Sequence, residues 1–208
     1  KFYRNHNISE VEVVTDASYE RVFKSHNKVS YVKVINNESK SKLEFEIITE
    51  DTAGLFSIVQ KLRQMFDLDS DPIVVANAFQ SIKLLDRLWK NYPGLRIARN
   101  WDPFEASIST ILGQLVSLKQ ARALVAQLVE NYGTPVIHPV TGLQVKLFPT
   151  GSTLAKANLQ SIKTTQKRRE AIREFSKLFE AGTLKFESHQ DSNIFVAGIL
   201  GNITSFSQ

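Results

Sequence analysis

The sequence predicts an α+β fold, with a small antiparallel β-sheet in an N-terminal domain followed by an all-α helical domain. Two observations carry this prediction. Residues 1 to about 50 contain four short segments rich in β-branched and aromatic side chains. From about residue 54 the apolar residues recur instead at helical spacing. We therefore expect an α+β domain with its following helices over residues 1–100, and a helical domain over residues 101–208.

The predicted strands come first along the chain. They cover residues 11–14, 19–23, 29–35 and 43–49, and the last of them alternates apolar and polar residues. The segment 36–41 is rich in asparagine and serine, which favour turns. The third and fourth strands are therefore expected to form an antiparallel hairpin.

Two helices are predicted before residue 100. The first starts near residue 54 and has one apolar face, formed by Leu55, Ile58, Val59, Leu62, Met65 and Phe66. The acidic segment 67–72 ends it and starts a second helix, predicted over 72–89. The Tyr-Pro-Gly sequence at 92–94 then breaks the helical pattern.

Residues 101–133 carry two helix-start signals close together. Asp102, Pro103 and Glu105 form a capping box, with the aspartate as N-cap and the proline at the first helical position. Ser117 and Gln120 form a second one. The predicted inward residues are Phe104, Ile108, Ile111 and Leu112 in the first helix, and Leu118, Ala121, Leu124, Val125, Leu128 and Val129 in the second. The segment 113–116 is thus a helix-to-helix turn, and Gly133 is expected to end the second helix.

The remaining elements are predicted to be a loop and two helices. The loop covers 134–149, which has three prolines and a Thr-Gly turn. A short helix follows over 152–158 and a longer one over 165–181, closed by Gly182. In the longer helix the residues predicted to face inward are Ala171, Ile172, Phe175, Leu178 and Phe179, and those predicted to face outward are Lys167, Arg168, Arg169, Arg173 and Lys177.

Composition excludes several function classes. The 208 residues include no cysteine, which removes disulfides, thiol nucleophiles and cysteine-ligated zinc and fits a reducing cytoplasm. The histidines His6, His26, His138 and His189 lack metal-binding spacing, so no metal is expected. No apolar run approaches the ~18 residues of a membrane span. The net charge of +5 and the pI near 9.4 indicate a mild preference for polyanions.

Five short motifs in order make the chain resemble a known family. They are Phe66-Asp-Leu-Asp-Ser-Asp-Pro72, Pro93-Gly-Leu-Arg96, Trp101-Asp-Pro-Phe-Glu105, Ile111-Leu-Gly-Gln-Leu-Val-Ser117 and Leu147-Phe-Pro-Thr150. Together they resemble AlkA-type DNA-3-methyladenine glycosylase II, a branch of the helix-hairpin-helix DNA glycosylase superfamily. The match covers roughly residues 10–185.

The resemblance implies base-excision repair of double-stranded DNA. Such enzymes flip an alkylated purine out of the stack and hydrolyse its N-glycosidic bond, with no cofactor. In the family the apolar residue of the Gly-Gln-Leu-Val-Ser turn is a wedge, which Leu115 matches, and Gln114 matches a residue lining the extruded-base site. Ser117, Lys119 and Arg168 complete the expected DNA-binding set. The resemblance also implies a monomer associated with the nucleoid.

Other interpretations of these residues stay open from the sequence. Leu115 could be a core leucine on a helix stripe, and Gln114 could bond local backbone. Lys119, Arg168 and Arg169 could form a solvated face balanced by Glu170 and Glu174. Trp101 is expected to pack at a helix start, with aromatic lining of a site as the alternative.

The end of the chain departs from the family pattern. The family continues into a helix-hairpin-helix with a Gly-hydrophobic-Gly turn and then a catalytic aspartate, and Gly198-Ile-Leu-Gly201 is one residue too long for that turn. Glu187 and Asp191 precede the hairpin position, so no catalytic residue is identified. We therefore expect a glycosylase-like hydrolase or a fragment of one. The alternative is a catalytically silent module that binds DNA with abasic or alkylated sites.

Overall fold

A computed structural model describes residues 2–92 and 94–184 of the chain. The chain forms two compact units. Among the described residues, the first comprises 2–7, 12–92, 94–101 and 137–143, and the second comprises 8–11, 102–136 and 144–184. In the described residues, no helix is both long enough and apolar enough to cross a membrane.

The first unit contains a four-stranded antiparallel sheet, which confirms the predicted strands. After the short helix α1 (Phe2–His6), the strands are β1 (Glu12–Val14), β2 (Ser18–Ser25), β3 (Lys28–Asn37) and β4 (Lys42–Ile48). Neighbours in sequence are neighbours in the sheet, in the order β1-β2-β3-β4. The predicted hairpin pairs Asn37 with Lys42 and Tyr31 with Ile48. A single 3₁₀ turn, Glu38–Lys40, connects its strands.

Helix α2 (Leu55–Met65) and one face of the sheet form the core of the first unit. Alternation along the strands places Tyr19, Phe23, Val32 and Val34 on this face. On α2, Ile58, Leu62 and Met65 recur at helical spacing. The buried members of this core are Tyr19, Phe23, Val32, Val34, Ile58, Leu62, Met65 and Trp101. Leu55, predicted to face inward, is exposed instead because it occupies the first helical position, before the buried stripe begins.

A buried ion pair lies on the same face of the sheet. Glu12 and Arg21 are direct cross-strand partners of β1 and β2. Arg21 Nη1 donates to Glu12 Oε1 at 2.7 Å, and the Tyr19 hydroxyl donates to the same oxygen at 2.7 Å. Burial raises the pKa of Tyr19 well above its ordinary value. The tyrosine therefore stays a neutral donor, and its hydrogen bond and that of Arg21 offset part of the desolvation of the carboxylate.

The single helix predicted over 72–89 is wrong, because two helices form there. They are α3 (Pro72–Phe79) and α4 (Lys83–Asn91), and Ile82 between them is extended, with φ −117°. The rings of Phe79 and Trp89 meet edge to face at 5.8 Å between centroids, so α4 folds back along α3. Neither helix has a buried residue. Their large exposed apolar side chains include Ile73, Val74, Leu84 and Leu88.

The second unit is mainly helical. Its elements are α5 (Pro103–Gly113), α6 (Leu118–Tyr132), β5 (Thr134–Ile137), β6 (Gln144–Leu147), α7 (Gly151–Lys156) and α8 (Gln166–Glu180). One buried cluster draws on all four of these helices and includes Phe104, Ile108, Leu112, Leu124, Leu128, Leu154, Ile162 and Ile172. The predicted α+β fold class is confirmed.

Three local predictions in this unit need correction. The segment 134–149 holds the strands β5 and β6 in a two-stranded sheet where a loop was expected. Leu118 and Ala171 are exposed, because each lies at the edge of its helix's apolar stripe. Gly133 ends α6 as predicted, but with φ −65°, outside the left-handed region that usually selects glycine at a helix end. It is needed because a Cβ would lie 2.4 Å from Val129 O and 2.6 Å from Leu147 O.

Candidate nucleic-acid interface

Helix α5 leads to the turn of interest and is fixed at its start. Asp102 Oδ1 accepts hydrogen bonds from the backbone N–H of Phe104 (2.8 Å) and Glu105 (3.2 Å), which confirms the predicted N-cap. Phe104, Ile108 and Leu112 are buried on one side of the helix. The helix is therefore held in place along its whole length up to Gly113.

Helix α6 leaves the turn with a cap of its own. Ser117 Oγ accepts from the backbone N–H of Gln120 at 3.2 Å, so the second predicted cap is also confirmed. Leu124, Val125, Leu128 and Val129 anchor the helix in the core. Only residues 114–116 separate the end of α5 from the cap of α6. A turn this short has few conformations available to it.

Leu115 forms the tip of this turn. Its φ is +56°, in the left-handed region that residues with a Cβ rarely adopt. Its side chain is 102% exposed, the highest value among the large exposed apolar residues. The alternative that Leu115 is a core leucine is therefore wrong. A strained backbone that exposes a large apolar side chain lowers stability and needs another explanation, since strain of this kind concentrates at functional sites.

Gln114 and Arg168 are joined across 54 residues of sequence. Gln114 is the C-cap of α5, with an extended backbone (ψ 131°) and an exposed side chain. Its carbonyl oxygen accepts a hydrogen bond from Arg168 Nη2, and Arg168 Nη1 lies 3.4 Å from Thr164 Oγ1. Arg168 is half-buried. Its guanidinium therefore does not lie on the solvated helix face that was one of the alternatives from the sequence.

Lys119 lies in the exposed first turn of α6. Neither α6 nor α8 has an acidic residue in its first turn, although helix N-termini favour negative charge. Basic side chains add positive charge to both of these positive helix ends. They are Lys119 at the start of α6, and Lys167, Arg168 and Arg169 at the start of α8. Two of the helix N-termini in this unit are therefore suited to anions.

Two basic residues of α8 that were expected to face outward instead support the loop before that helix. Arg169 Nη1 donates to the carbonyl oxygens of Ile162 (3.1 Å) and Thr164 (2.9 Å). Arg173 Nη1 donates to that of Asn158 (3.2 Å). Helical periodicity does not show where a long side chain bends, so it could not predict these contacts with the loop. The local sequence signal for them is the cluster of cations at the start of α8, where the first turn has no acidic residue.

Trp101 packs at the boundary before α5, as predicted. It is buried, its ring centroid lies 4.7 Å from that of Phe23, and the charged ends of Lys61 and Arg21 lie 4.6 and 5.3 Å from its ring centroid. Such cation–π contacts are stabilising when partly desolvated. Trp101 therefore serves the core of the first unit.

The described histidines make local contacts. His26 Nδ1 lies 2.8 Å from Asp51 Oδ2, and His138 Nδ1 accepts from Val140 N at 3.1 Å. Within residues 2–92 and 94–184, no three His, Asp or Glu side chains are grouped as metal ligands would be. His189, and the positions Glu187, Asp191 and 198–201 discussed above, lie outside the described residues.

Several carboxylates of the second unit already have a partner. Asp102 caps α5, Glu130 pairs with Lys146 at 2.7 Å, and Glu174 pairs with Lys177 at 2.5 Å. Gln166 Nε2 donates to Glu170 at 2.7 Å. These four carboxylates therefore act in capping or pairing.

Comparison with known proteins gives this arrangement a context. Residues 1–102 match the family described as the AlkA N-terminal domain. Over 184 residues the chain is 31% identical to DNA-3-methyladenine glycosylase 2 of Escherichia coli (strain K12), covering 85% of this chain and 61% of that protein. It is 30% identical over 139 residues to DNA-3-methyladenine glycosylase of Bacillus subtilis (strain 168), covering 65% of this chain and 45% of the relative. The chain thus spans about three fifths or less of these relatives.

Solved structures show the same fold. A 3-methyladenine DNA-glycosylase from Archaeoglobus fulgidus superposes with a TM-score of 0.68 at 21% identity, covering 84% of this chain and 61% of that one. An 8-oxoguanine glycosylase/lyase of Clostridium acetobutylicum in complex with double-stranded DNA gives a TM-score of 0.61 at 19% identity, covering 86% and 58%. At these identities the likeness concerns the fold, and it agrees with the resemblance drawn from the five sequence motifs.

Proposed function

We propose that the chain is the DNA-probing part of a base-excision glycosylase for alkylated purines. The premise is that residues 1–102 match the AlkA N-terminal domain family. The observation that carries the proposal is Leu115, which is fully exposed at the tip of a two-helix turn. The relatives named above supply the alkylated-purine specificity as an expectation. The proposal includes a monomer that acts on duplex DNA at the nucleoid.

Leu115 has the properties that a DNA wedge requires. An apolar side chain inserted between base steps offsets part of the cost of unstacking and holds the duplex open where a base has left. The helices on either side are anchored in the core at Leu112 and Leu124. The tip is therefore held in position when it inserts between stacked bases. An exposed leucine on a mobile loop would lack that support.

The residues next to the wedge supply polar and charged contacts. Gln114 precedes the tip, exposed, and its amide can donate to and accept from a base edge. Ser117 and Lys119 lie at the N-terminus of α6, where backbone N–H groups and the helix dipole favour a phosphate. Arg168 belongs to the same element through its bond to Gln114.

The proposed reaction is hydrolysis of the bond between sugar C1′ and the purine nitrogen. An alkylated purine is cationic, so it leaves readily with the bonding electron pair, and the sugar develops oxocarbenium character. Water adds its oxygen to C1′ and releases a proton. The described residues open the duplex and hold the gap in this scheme. The carboxylate expected to stabilise the oxocarbenium ion and direct the water is not assigned to any of them.

A second candidate is a catalytically silent module that recognises damaged DNA. The observation that favours it is the partnering of Asp102, Glu130, Glu170 and Glu174, each of which already caps or pairs. Such a module would keep the wedge and prefer DNA that already has a gap in the stack. Abasic DNA would be its best ligand because no base has to be unstacked.

The two candidates predict different products. Duplexes containing 3-methyladenine, hypoxanthine or an abasic analogue would be incubated with the 208-residue chain, beside an undamaged duplex. Alkali-labile strand breaks at the modified purine support the glycosylase. Tighter binding to the abasic duplex without any strand breaks supports the silent module. Equal binding to all four duplexes without breaks contradicts both candidates.

The wedge itself is tested with Leu115→Ala. We expect this variant to lose most of the preference for abasic over undamaged DNA in a fluorescence anisotropy titration, because the apolar tip no longer fills the gap. The matched control is Leu143→Ala, which shortens another exposed leucine (66% exposed) outside this turn. An unchanged preference in Leu115→Ala would show that the wedge is assigned to the wrong residue.

A further inference from the structure

The first turn of α8 contradicts the usual charge preference of helices. Lys167, Arg168 and Arg169 follow the N-cap Thr165, and no acidic residue lies in that turn. Positive charge at a helix N-terminus opposes the helix dipole and lowers stability. Departures from a local rule of this kind are expected where a residue serves a purpose elsewhere in the fold.

The side chain of Arg168 reaches from that turn to the turn that carries the wedge. Its Nη2 donates to the carbonyl oxygen of Gln114, the residue directly before Leu115. Its Nη1 lies 3.4 Å from Thr164 Oγ1, and this second contact helps to orient the guanidinium. The Gln114 carbonyl is at the C-terminal end of α5, where carbonyls lack helical partners and the dipole favours a cation.

The turn is therefore held at two points. Arg168 holds the residue before Leu115, and the Ser117 cap holds the start of α6. Between them lie only Leu115, with its left-handed φ, and Val116. Releasing one point would let Leu115 relax toward a more favourable backbone conformation and move the tip.

We infer that Arg168 is a positioning residue that fixes the wedge turn through the Gln114 carbonyl. This inference rests on the proposed function of Leu115, and it gives Arg168 a role other than the phosphate contact expected from the sequence. Its guanidinium acts on DNA through the direction in which Leu115 points. Arg169 supports it indirectly by holding the Ile162 and Thr164 carbonyls of the preceding loop.

The test compares Arg168→Met with Arg173→Met in the 208-residue chain. Both substitutions remove one arginine–carbonyl hydrogen bond from α8, but Arg173 bonds Asn158 and not the wedge turn. We expect Arg168→Met to lower the preference for abasic over undamaged duplex by about 10- to 100-fold, the range that corresponds to the loss of a hydrogen bond from a charged group. Arg173→Met should keep the preference. Arg168→Lys retains the positive charge and a hydrogen-bond donor, so it should lose less of the preference than Arg168→Met does.

Salt dependence separates positioning from phosphate contact. A lost phosphate contact lowers the slope of log affinity against log salt concentration by about one and weakens binding to all duplexes alike. For Arg168→Met we expect an unchanged slope and a loss confined to the abasic duplex. A slope reduced by about one, with equal loss on both duplexes, overturns the inference in favour of direct phosphate binding.

A measurement without DNA keeps the inference independent of the proposed function. Amide hydrogen exchange of the 112–118 peptide should be faster in Arg168→Met than in the wild-type chain, and unchanged in Arg173→Met. If the wild-type chain shows no preference for abasic DNA, the proposed function fails. The exchange rates still test whether Arg168 fixes the turn. If Leu115→Ala loses the preference for abasic DNA while Arg168→Met keeps both that preference and the wild-type exchange rate, only the positioning role of Arg168 is wrong.

Discussion

Glu12 and Arg21 face each other across β1 and β2 on the core side of the sheet, with 2.7 Å between Oε1 and Nη1. Arg21→Met would leave the buried carboxylate without its cation. We expect a loss of about 3–5 kcal/mol in the free energy of unfolding, measured by urea denaturation.

The control for this first prediction is Lys28→Met, which breaks the exposed Lys28–Glu50 pair and should cost no more than about 1 kcal/mol. Glu12→Gln combined with Arg21→Met should recover part of the stability lost in the single variant, because the uncompensated charge is gone. Equal effects of Arg21→Met and Lys28→Met would contradict the structural importance given to this pair.

Leu115→Gly is expected to raise stability while lowering the preference for abasic DNA. Glycine adopts φ +56° without the Cβ clash, and the fully exposed leucine forfeits no buried surface. The gain should be about 1 kcal/mol in thermal or urea unfolding. Leu143→Gly, at an exposed leucine whose φ is not positive, should give no gain. A destabilised Leu115→Gly variant would mean that the side chain packs against something.

Asp51 is expected to make the first unit sensitive to acid. The Ser25 hydroxyl, His26 and the Gly54 N–H lower the pKa of its carboxyl from the ordinary value of 3.8. A lowered pKa in the folded state means that this stabilisation is complete above the unfolded value and is lost as the pH falls through the folded value. The stability difference between the wild-type chain and Asp51→Asn should therefore be largest near neutral pH and shrink below about pH 4.

Urea unfolding at a series of pH values measures this difference. Asp16→Asn is the control because that side chain is 91% exposed and pairs with the solvated Arg4 in an exposed ion pair of little energetic weight, so its difference from the wild-type chain should vary little with pH. A difference for Asp51→Asn that stays constant down to pH 3 would contradict the assigned hydrogen bonds.

Two glycines flanking the turn and α6 should respond to alanine in opposite directions. A Cβ at Gly133 would lie 2.4 Å from Val129 O, which is backbone and cannot yield, so Gly133→Ala should lose about 2 kcal/mol. A Cβ at Gly113 would meet Ala121 Cβ at 3.5 Å, an ordinary contact. Gly113→Ala in α5 should therefore be neutral or gain roughly 0.5–1 kcal/mol. The melting temperatures of the two variants measure this contrast, and equal shifts would contradict it.

Local signals were enough to predict most of the elements. The caps at Asp102 and Ser117, and the turn between their helices, follow from side chains that bond backbone within three residues. The break between α3 and α4 could not be predicted this way, since the segment 80–82 contains neither proline nor glycine and the helices are turned back by the contact of Phe79 with Trp89.

The candidate site shows the same limit. The helix starts around Leu115 predicted that an apolar residue lies in a turn, but its exposure and left-handed backbone depend on how the two helices pack. The partner of Arg168 is 54 residues away, beyond the reach of any periodicity. The sequence placed Arg168 correctly in α8, and only the three-dimensional contact gives the direction of its side chain.

The paired helices α3 and α4 have a practical consequence for anyone who purifies this chain. They bury no side chain, so opening them forfeits few apolar contacts and should require much less free energy than unfolding either core. Trypsin should therefore cut first after Lys83, Arg87 or Lys90. The first visible products would be two fragments, one holding the four-stranded sheet and the other holding the wedge turn, each with most of one buried cluster.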